Sequence, residues 1–187
     1  MNKKVPDNLQ NADLAFVRPS EDALDEAINR STQAKLKKGY VHVALIALDQ
    51  GAGPSVIEAT GEHGVIERPL ADFLAEHGSL VDFYRAKKAL KDSATIVERA
   101  RNEIGQPYNH GFFEKGPGFY CSQLVSHAFK KEGLFSDEPL SFGPEGTILP
   151  HWQQYYEELG RAIPIHDLGS SPNSLLAKDQ LQELPHP

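Results

Sequence analysis

Cysteine is almost missing from this chain of 187 residues, since Cys121 is the only one. A single cysteine forms no internal disulfide and cannot build a cysteine-rich metal motif. Long apolar runs are missing too, so no segment is predicted to span a bilayer. Residues 1–13 contain two lysines with no apolar segment after them. This excludes a secretory signal in that stretch and predicts a cytoplasmic protein.

Positive charge is also scarce: 19 Lys and Arg stand against 26 Asp and Glu, a net charge of −7. No cluster of basic residues with interleaved aromatics occurs, so a nucleic-acid partner is not expected.

The length fits one domain, which we assign to residues 1–187, and is sufficient to bury a hydrophobic core. We expect residues 1–11 and about 177–187 to be flexible. No pattern in the chain specifies an oligomeric state.

The hydrophobic patterning predicts short strands with helices flanking them. The strands follow one another without long helices between them, which favours an α+β fold with an antiparallel sheet over a doubly wound sheet. Residues 39–48 are apolar on both faces and are predicted to form a central strand. Other strands are predicted over 12–17, 55–60, 65–67 and 80–85, and helices after the caps Ser20 and Ser93 and over 69–74 and 152–159.

Cys121 lies at the start of another predicted helix. Gly118 precedes it, Gly133 closes the segment, and Cys121 falls on the same apolar stripe as Leu124, Val125, Ala128 and Phe129. The first-turn N–H groups of a helix have no intrahelical partners and favour negative charge. A thiol placed there ionises more easily, and the thiolate is the nucleophile. The alternative is an inert, buried cysteine that acts as a small hydrophobic residue.

A nucleophilic cysteine needs a base, and the chain has eight histidines. His127 lies six residues further along the same helix, about 240° around it, and cannot meet the thiol. Most of the others lie in predicted turns, late loops or the C-terminal tail, where solvation is expected. His110 is a reserve candidate because its loop, residues 106–118, leads into the cysteine helix. His42 differs because it is embedded in the predicted central strand.

A buried imidazole and a buried carboxylate both need partners, and the strand pattern brings His42 and Glu58 together. A hairpin turn centred near Gln50 and Gly51 places residue 58 roughly opposite residue 42, with Cβ atoms about 5 Å apart on one face. The pair is either a satisfied structural contact or a base with its orienting carboxylate. In the second interpretation Glu58 holds one ring nitrogen and the other faces Cys121.

These residues resemble the circularly permuted branch of the NlpC-type papain-like cysteine hydrolases, the YiiX-like group. The similarity spans roughly residues 12–176, and the histidine strand comes before the cysteine, as the permuted branch requires. The segments that carry it are Ala12-Asp13-Leu14, His42-Val43-Ala44-Leu45-Ile46, Val56-Ile57-Glu58-Ala59, Gly105-Gln106-Pro107-Tyr108 and Tyr120-Cys121-Ser122-Gln123-Leu124-Val125.

The resemblance implies a papain-like fold, a small antiparallel sheet packed against the cysteine helix, and a triad of Cys121, His42 and Glu58. It also implies amide substrates of the peptide or isopeptide type, including cell-wall peptides. Ala44 stands where the family usually has Gly, and many members carry a signal or lipid anchor that is not seen here. Both departures bear on the substrate more than on the chemistry.

We therefore predict a thiol hydrolase that forms an acyl-enzyme, with Cys121 attacking, His42 relaying the proton and Glu58 orienting His42. The Cys121 N–H is the expected oxyanion donor, and Tyr120, Tyr108 and His110 are the expected substrate-binding residues. The substrate is expected to be a small peptide, amide or lipid-like molecule, and no metal or organic cofactor is expected. The alternatives are a thiol acyltransferase or lipase like the lecithin:retinol acyltransferase group, and a binding module with a vestigial site.

Overall fold

The structure is a computed structural model that describes residues 5–33, 36–49, 51 and 53–185. Within these residues the chain forms eight β-strands and six α-helices. The strands are β1 (Leu14–Val17), β2 (His42–Asp49), β3 (Gly53–Thr60), β4 (Gly64–Pro69), β5 (Val81–Ala86), β6 (Glu138–Pro139), β7 (Leu168–Gly169) and β8 (Leu181–Glu183). The helices are α1 (Ala23–Thr32), α2 (Leu70–His77), α3 (Ser93–Arg101), α4 (Cys121–Phe129), α5 (Pro150–Glu158) and α6 (Pro172–Ala177).

The main sheet is antiparallel with the strand order β4-β3-β2-β1-β5-β8, and β6 pairs with β7 in a separate two-stranded sheet. Short connections join β2, β3 and β4 as consecutive hairpins, as expected where strands follow one another in sequence. This confirms the predicted α+β class. None of the helices in the described part of the chain has the length and apolar character needed to cross a bilayer.

The sheet is covered on both faces, which explains the continuous apolar sequence of β2. Val43, Leu45 and Ala47 belong to the core cluster that also contains the buried stripe of α4. Ala44 and Ile46 point to the opposite face, into a second cluster that contains residues of α2. Because successive side chains of a strand point to opposite faces, a strand buried on both sides must be apolar at every position.

The predicted caps of α1 and α3 are wrong by two residues and by one residue, respectively. Asp22, rather than Ser20, caps α1 by accepting a hydrogen bond from the backbone N–H of Leu24 at 2.8 Å. Asp92, rather than Ser93, caps α3 through the backbone N–H of Thr95. In both cases two nearby residues are able to cap, and the local backbone decides between a carboxylate and a hydroxyl.

The predicted hairpin register is off by two residues. The β2–β3 ladder pairs Leu45 with Ile57 and Asp49 with Gly53, so its continuation places Glu58 opposite Ala44. Gln50, which the sequence analysis placed at the turn, lies outside the described residues. His42 and Glu58 nevertheless share a face because a shift of two residues preserves the alternation of side chains. They are diagonal neighbours, a separation that long side chains bridge.

The C-terminal segment packs against the domain and forms α6 and β8, although flexibility was predicted from about residue 177 onward. Ser171 caps α6 by accepting from the Ser174 N–H at 3.0 Å, and Leu175 is buried in the main core. Residues 181–183 form β8 and pair with β5 at the sheet edge. Its three residues, LQE, are too short to show a strand period, so the pairing depends on the tertiary fold.

Candidate active site

Cys121 is the first residue of α4, with only 6% of its surface exposed. The chain reaches it through Gly118, whose φ of +74° favours glycine. A Cβ on Gly118 would lie 1.7 Å from the carbonyl oxygen of Pro107. This close approach allows two backbone hydrogen bonds between the segments, from Phe119 to Pro107 and from Asn109 to Phe119, both at 3.1 Å. The loop before the helix is thereby fixed beside the cysteine.

Side chains then hold the start of α4 in place. The side-chain oxygen Oε1 of Gln123 accepts from the backbone N–H of Tyr120 at 3.3 Å and from the side-chain amide Nδ2 of buried Asn109 at 3.2 Å. The hydroxyl of Tyr120 accepts a hydrogen bond from the backbone N–H of Ser170 at 3.2 Å. These contacts tie the N-terminus of the helix to the preceding loop and to the chain after β7. The thiol is therefore held on a rigid element.

His42 and Glu58 meet on the face of the sheet that α2 covers. The Nε2 atom of His42 lies 2.6 Å from Oε2 of Glu58, and the imidazole also interacts with the Cys121 side chain closely enough to raise the pKa of His42. Glu58 is 1% exposed and the His42 side chain 18% exposed. Because Nε2 is used by Glu58, Nδ1 is the ring nitrogen left for the thiol. The contact expected from the strand pattern is present, although the register is diagonal.

The electrostatics of this group favour a charged imidazole. Burial opposes the charge on His42, but the hydrogen bonds to Cys121 and Glu58 and their negative charges outweigh it and raise the pKa of His42 to about 10. Burial also disfavours ionisation of Glu58, but the hydrogen bond and charge of His42, followed by the charge of Arg68, lower the pKa of its carboxyl. The arrangement therefore favours a protonated His42 paired with an ionised Glu58.

Arg68 is a member of this group that the sequence analysis missed. Its Nε donates to Oε1 of Glu58 at 2.6 Å, so each oxygen of the buried carboxylate has its own cationic partner. The predicted strand over 65–67 ended before Arg68, but in the structure the β3–β4 hairpin pairs Glu58 with Ile66 and Val56 with Arg68. This register puts Arg68 on the face of Glu58, one diagonal step away.

A cleft of about 250 Å³ opens beside Cys121. Tyr108 and Tyr120, two of the three predicted substrate-binding residues, line it together with the cysteine. The other apolar walls come from α1, from α5, from the segments around β6 and α6, from the residue before β2 and from the loop before α4. They include Ile28, Val41, Phe112, Pro139, Leu140, Phe142, Trp152, Pro172 and Ala177. The walls after residue 137 had no functional signal in the sequence.

His110, the third predicted substrate-binding residue, is exposed and does not line this cleft. Its ring lies 5.1 Å from that of Tyr108, so it contacts the cleft wall from outside. The structure brings His42, rather than His110, to the thiol. In the same loop Phe112 lines the cleft, whereas Phe113 packs under the guanidinium of Arg161 at 4.4 Å.

His127 lies on α4 but on another side of the helix, as the sequence spacing indicates. Its Nε2 lies 3.0 Å from Oε1 of Glu103, and its ring packs 5.1 Å from that of Phe119. Among the residues that the structure describes, no group of three His, Cys, Asp or Glu side chains is arranged to hold a metal ion. His186 lies outside those residues.

The sheet is antiparallel and packs on a helix with cysteine at its first turn, and the histidine strand precedes the cysteine in sequence. These features define a papain-like thiol hydrolase of permuted topology. The chain belongs to the permuted papain-like amidase family (YaeF/YiiX, C92 family), whose sequence model matches residues 8–184. The chain is therefore a cysteine peptidase or amidase-like hydrolase, and the predicted family is confirmed.

A solved structure shares the fold: the protein described as the metalloprotein YiiX from Escherichia coli O157:H7. It is 21% identical with a TM-score of 0.74, and the match covers 95% of this chain and 97% of that one. At this identity the likeness shows the fold alone. None of the curated proteins compared with the chain matches it in sequence.

Proposed function

We propose that the chain cleaves an amide bond through an acyl-enzyme, with Cys121 as nucleophile, His42 as base and acid, and Glu58 as the carboxylate that orients His42. The observation that carries the proposal is the 2.6 Å contact between His42 and Glu58, made by an imidazole whose pKa is also raised by the neighbouring Cys121. Nucleophile, base and orienting group within hydrogen-bond reach are what covalent acyl transfer requires.

The chemistry follows from these positions. The Cys121 thiolate attacks the carbonyl carbon, and the negative charge moves to the carbonyl oxygen. The N–H of Cys121, which has no intrahelical partner, is placed to donate to that oxyanion. As the intermediate collapses, His42 gives its proton to the leaving amine and a thioester remains. Water then attacks the thioester, His42 takes its proton, and the acid is released with the thiolate restored.

The cleft supports a substrate with an apolar group next to the reacting carbonyl. Its walls are mostly aromatic and aliphatic, and such surfaces bind apolar groups by removing them from water. Tyr108 and Tyr120 lie beside the cysteine and are proposed to contact the substrate. His110, outside the cleft, is proposed to contribute only through the position of Tyr108.

The same apolar walls favour one second candidate, a thiol acyltransferase or lipase. A thiol acyltransferase passes the acyl group of the thioester to an acceptor hydroxyl or amine instead of water, whereas a lipase takes its acyl group from an ester and passes it to water. A panel of peptide, ester and lipid substrates with wild type and Cys121→Ala separates the two candidates. Hydrolysis of amides that is lost in Cys121→Ala supports the amidase, and an acylated acceptor as the main product supports the acyltransferase.

Labelling with iodoacetamide tests the site without a known substrate, because the chain has one cysteine. We expect wild type to react at least tenfold faster than free cysteine at neutral pH, since the thiolate is the reacting form, and His42→Ala to slow it. His127→Ala is the matched control, because His127 pairs with Glu103 and should leave the rate unchanged. A wild-type rate typical of a buried, inert thiol would contradict the hydrolase mechanism.

A further inference from the structure

We propose that Arg68 is a positioning residue of this site, which holds Glu58 ionised and turned so that one oxygen faces His42. The proposal rests on the proposed function, since it concerns the carboxylate that orients the base. Arg68 touches neither the thiol nor the cleft lining; it acts through Glu58.

The geometry divides the carboxylate between two donors. Oε2 of Glu58 lies 2.6 Å from Nε2 of His42, and Oε1 accepts from Nε of Arg68, also at 2.6 Å. A carboxylate with one partner can rotate about its terminal bond, because that torsion is broad. With a donor on each oxygen, rotation breaks two charge-assisted hydrogen bonds. Arg68 therefore fixes which oxygen meets the imidazole.

Arg68 is itself held from three sides. Its second nitrogen, Nη1, donates to Oε2 of Glu76 at 2.6 Å, and its guanidinium lies 5.3 Å from the ring centre of Phe73. Glu76 and Phe73 both belong to α2, and β4 supplies the arginine itself. A planar guanidinium makes these contacts at once, whereas an ammonium is a point charge and loses the directed geometry.

Charge gives Arg68 its second role. Glu58 is almost completely buried, and burial disfavours its ionised form. The positive charges of His42 and Arg68 offset that effect, and the arginine charge persists at every accessible pH. Without Arg68, Glu58 should be protonated at a higher pH, and the imidazolium of His42 would then lose its carboxylate partner.

Other titratable groups also face this cluster. His77 on α2 has its ring 6.0 Å from that of His42, and burial together with the charge of His42 lowers its pKa. Glu76 is the second partner of Arg68. Cys121 on α4 interacts with His42, and Tyr108 from the preceding loop interacts with Cys121. A substitution at Arg68 changes none of these side chains, although Glu76 loses a partner and His77 loses a neighbouring positive charge.

The test is the pH dependence of iodoacetamide labelling at Cys121 in wild type, Arg68→Gln and Arg68→Lys. An adjacent opposite charge moves a carboxyl titration by about 1–3 pH units, so Arg68→Gln should move the acid limb of the labelling profile up by about one unit. Arg68→Lys should recover more than half of that shift, since the charge returns. On a confirmed substrate, kcat should fall with KM little changed.

Arg101→Gln is the matched control, because Arg101 also joins carboxylates, those of Glu67, Asp49 and Glu98. It should lower thermal stability and leave the acid limb in place. An unmoved acid limb in Arg68→Gln would overturn the proposal. If Arg68→Gln does not fold, Arg68→Lys decides the proposal. The acid limb of its labelling profile must lie within about half a pH unit of that of wild type, and its kcat must be reduced.

The two proposals fail differently. If His42→Ala labels as fast as wild type, the proposed mechanism is wrong. If His42→Ala slows labelling while both Arg68 variants leave the acid limb unmoved, the mechanism stands and only the role of Arg68 is refuted.

Discussion

Replacing Glu58 by Gln removes the charge of this carboxylate and keeps its size. Its two oxygens accept from His42 and from Arg68, whereas a Gln side chain offers one oxygen and one NH2 group. The NH2 group would face one of the two donors. The donors that can lose their acceptor belong to His42, whose side chain is 18% exposed, and to Arg68, whose side chain is 22% exposed. One of these mostly buried donors therefore loses its charged acceptor.

The expected cost follows from that broken contact. A hydrogen bond to a charged group contributes about 1.5–3 kcal/mol, and a buried polar group without a partner costs about 1–3 kcal/mol. The two energies are not fully additive, since the first is the contribution of the hydrogen bond and the second is the cost of breaking the same bond. We expect Glu58→Gln to lower the free energy of unfolding by about 2–4 kcal/mol near pH 6. The fold should persist because the packing volume is unchanged.

The pH dependence is the sharper signature. The pKa of Glu58 is lowered below 4.5, so its contribution is present above that pH and is lost as the pH falls through the folded-state pKa. The pKa of His42 is raised from 6.5 to about 10, so its contribution is complete below pH 6.5 and is lost as the pH rises toward 10. The stability difference between wild type and Glu58→Gln should peak at about pH 5–6.5 and decline on both sides.

Urea unfolding over this pH range, followed through the fluorescence of the single tryptophan, buried Trp152, measures the difference. The control is Glu67→Gln. The hydrogen bond from Arg101 lowers the pKa of Glu67, and no histidine is among the causes of that shift, so its stability difference should decline only on the acid side. A difference for Glu58→Gln that stays constant from pH 6.5 to 10 would refute the charged His42–Glu58 pair.

Two further predictions concern the approach to the cysteine and the cleft. Gly118→Ala should lower the free energy of unfolding by more than about 3 kcal/mol, because it combines a φ of +74° with a Cβ 1.7 Å from a carbonyl oxygen. Gly133→Ala, at φ +60° in open space, should lower it by only about 1–2 kcal/mol. Equal melting temperatures for the two variants would contradict the steric argument. Tyr108→Phe should raise KM on a confirmed substrate by about three- to tenfold if the hydroxyl donates one hydrogen bond to it, and unchanged kinetics would limit Tyr108 to its role as an apolar wall.

The candidate site was partly readable from the sequence because its parts lie on regular elements. The alternation of β2 and β3 put His42 and Glu58 on one face, and that parity survives an error of two residues in the register. The helical stripe placed Cys121 on the inward side of α4. Arg68 was missed because the predicted strand over 65–67 ended before it, whereas β4 extends to Pro69.

The sequence by itself determined what local periodicity encodes: the antiparallel strands, the helix that begins at Cys121 and the face that His42 and Glu58 share. Only the tertiary structure decided which residues surround the thiol from far along the chain. The cleft walls from α1, α5 and the segments around β6 and α6 come from elements with no common period. Likewise, β8 is too short to be recognised and forms only because β5 offers a free edge. Contacts of that kind depend on how whole elements pack, which no local pattern specifies.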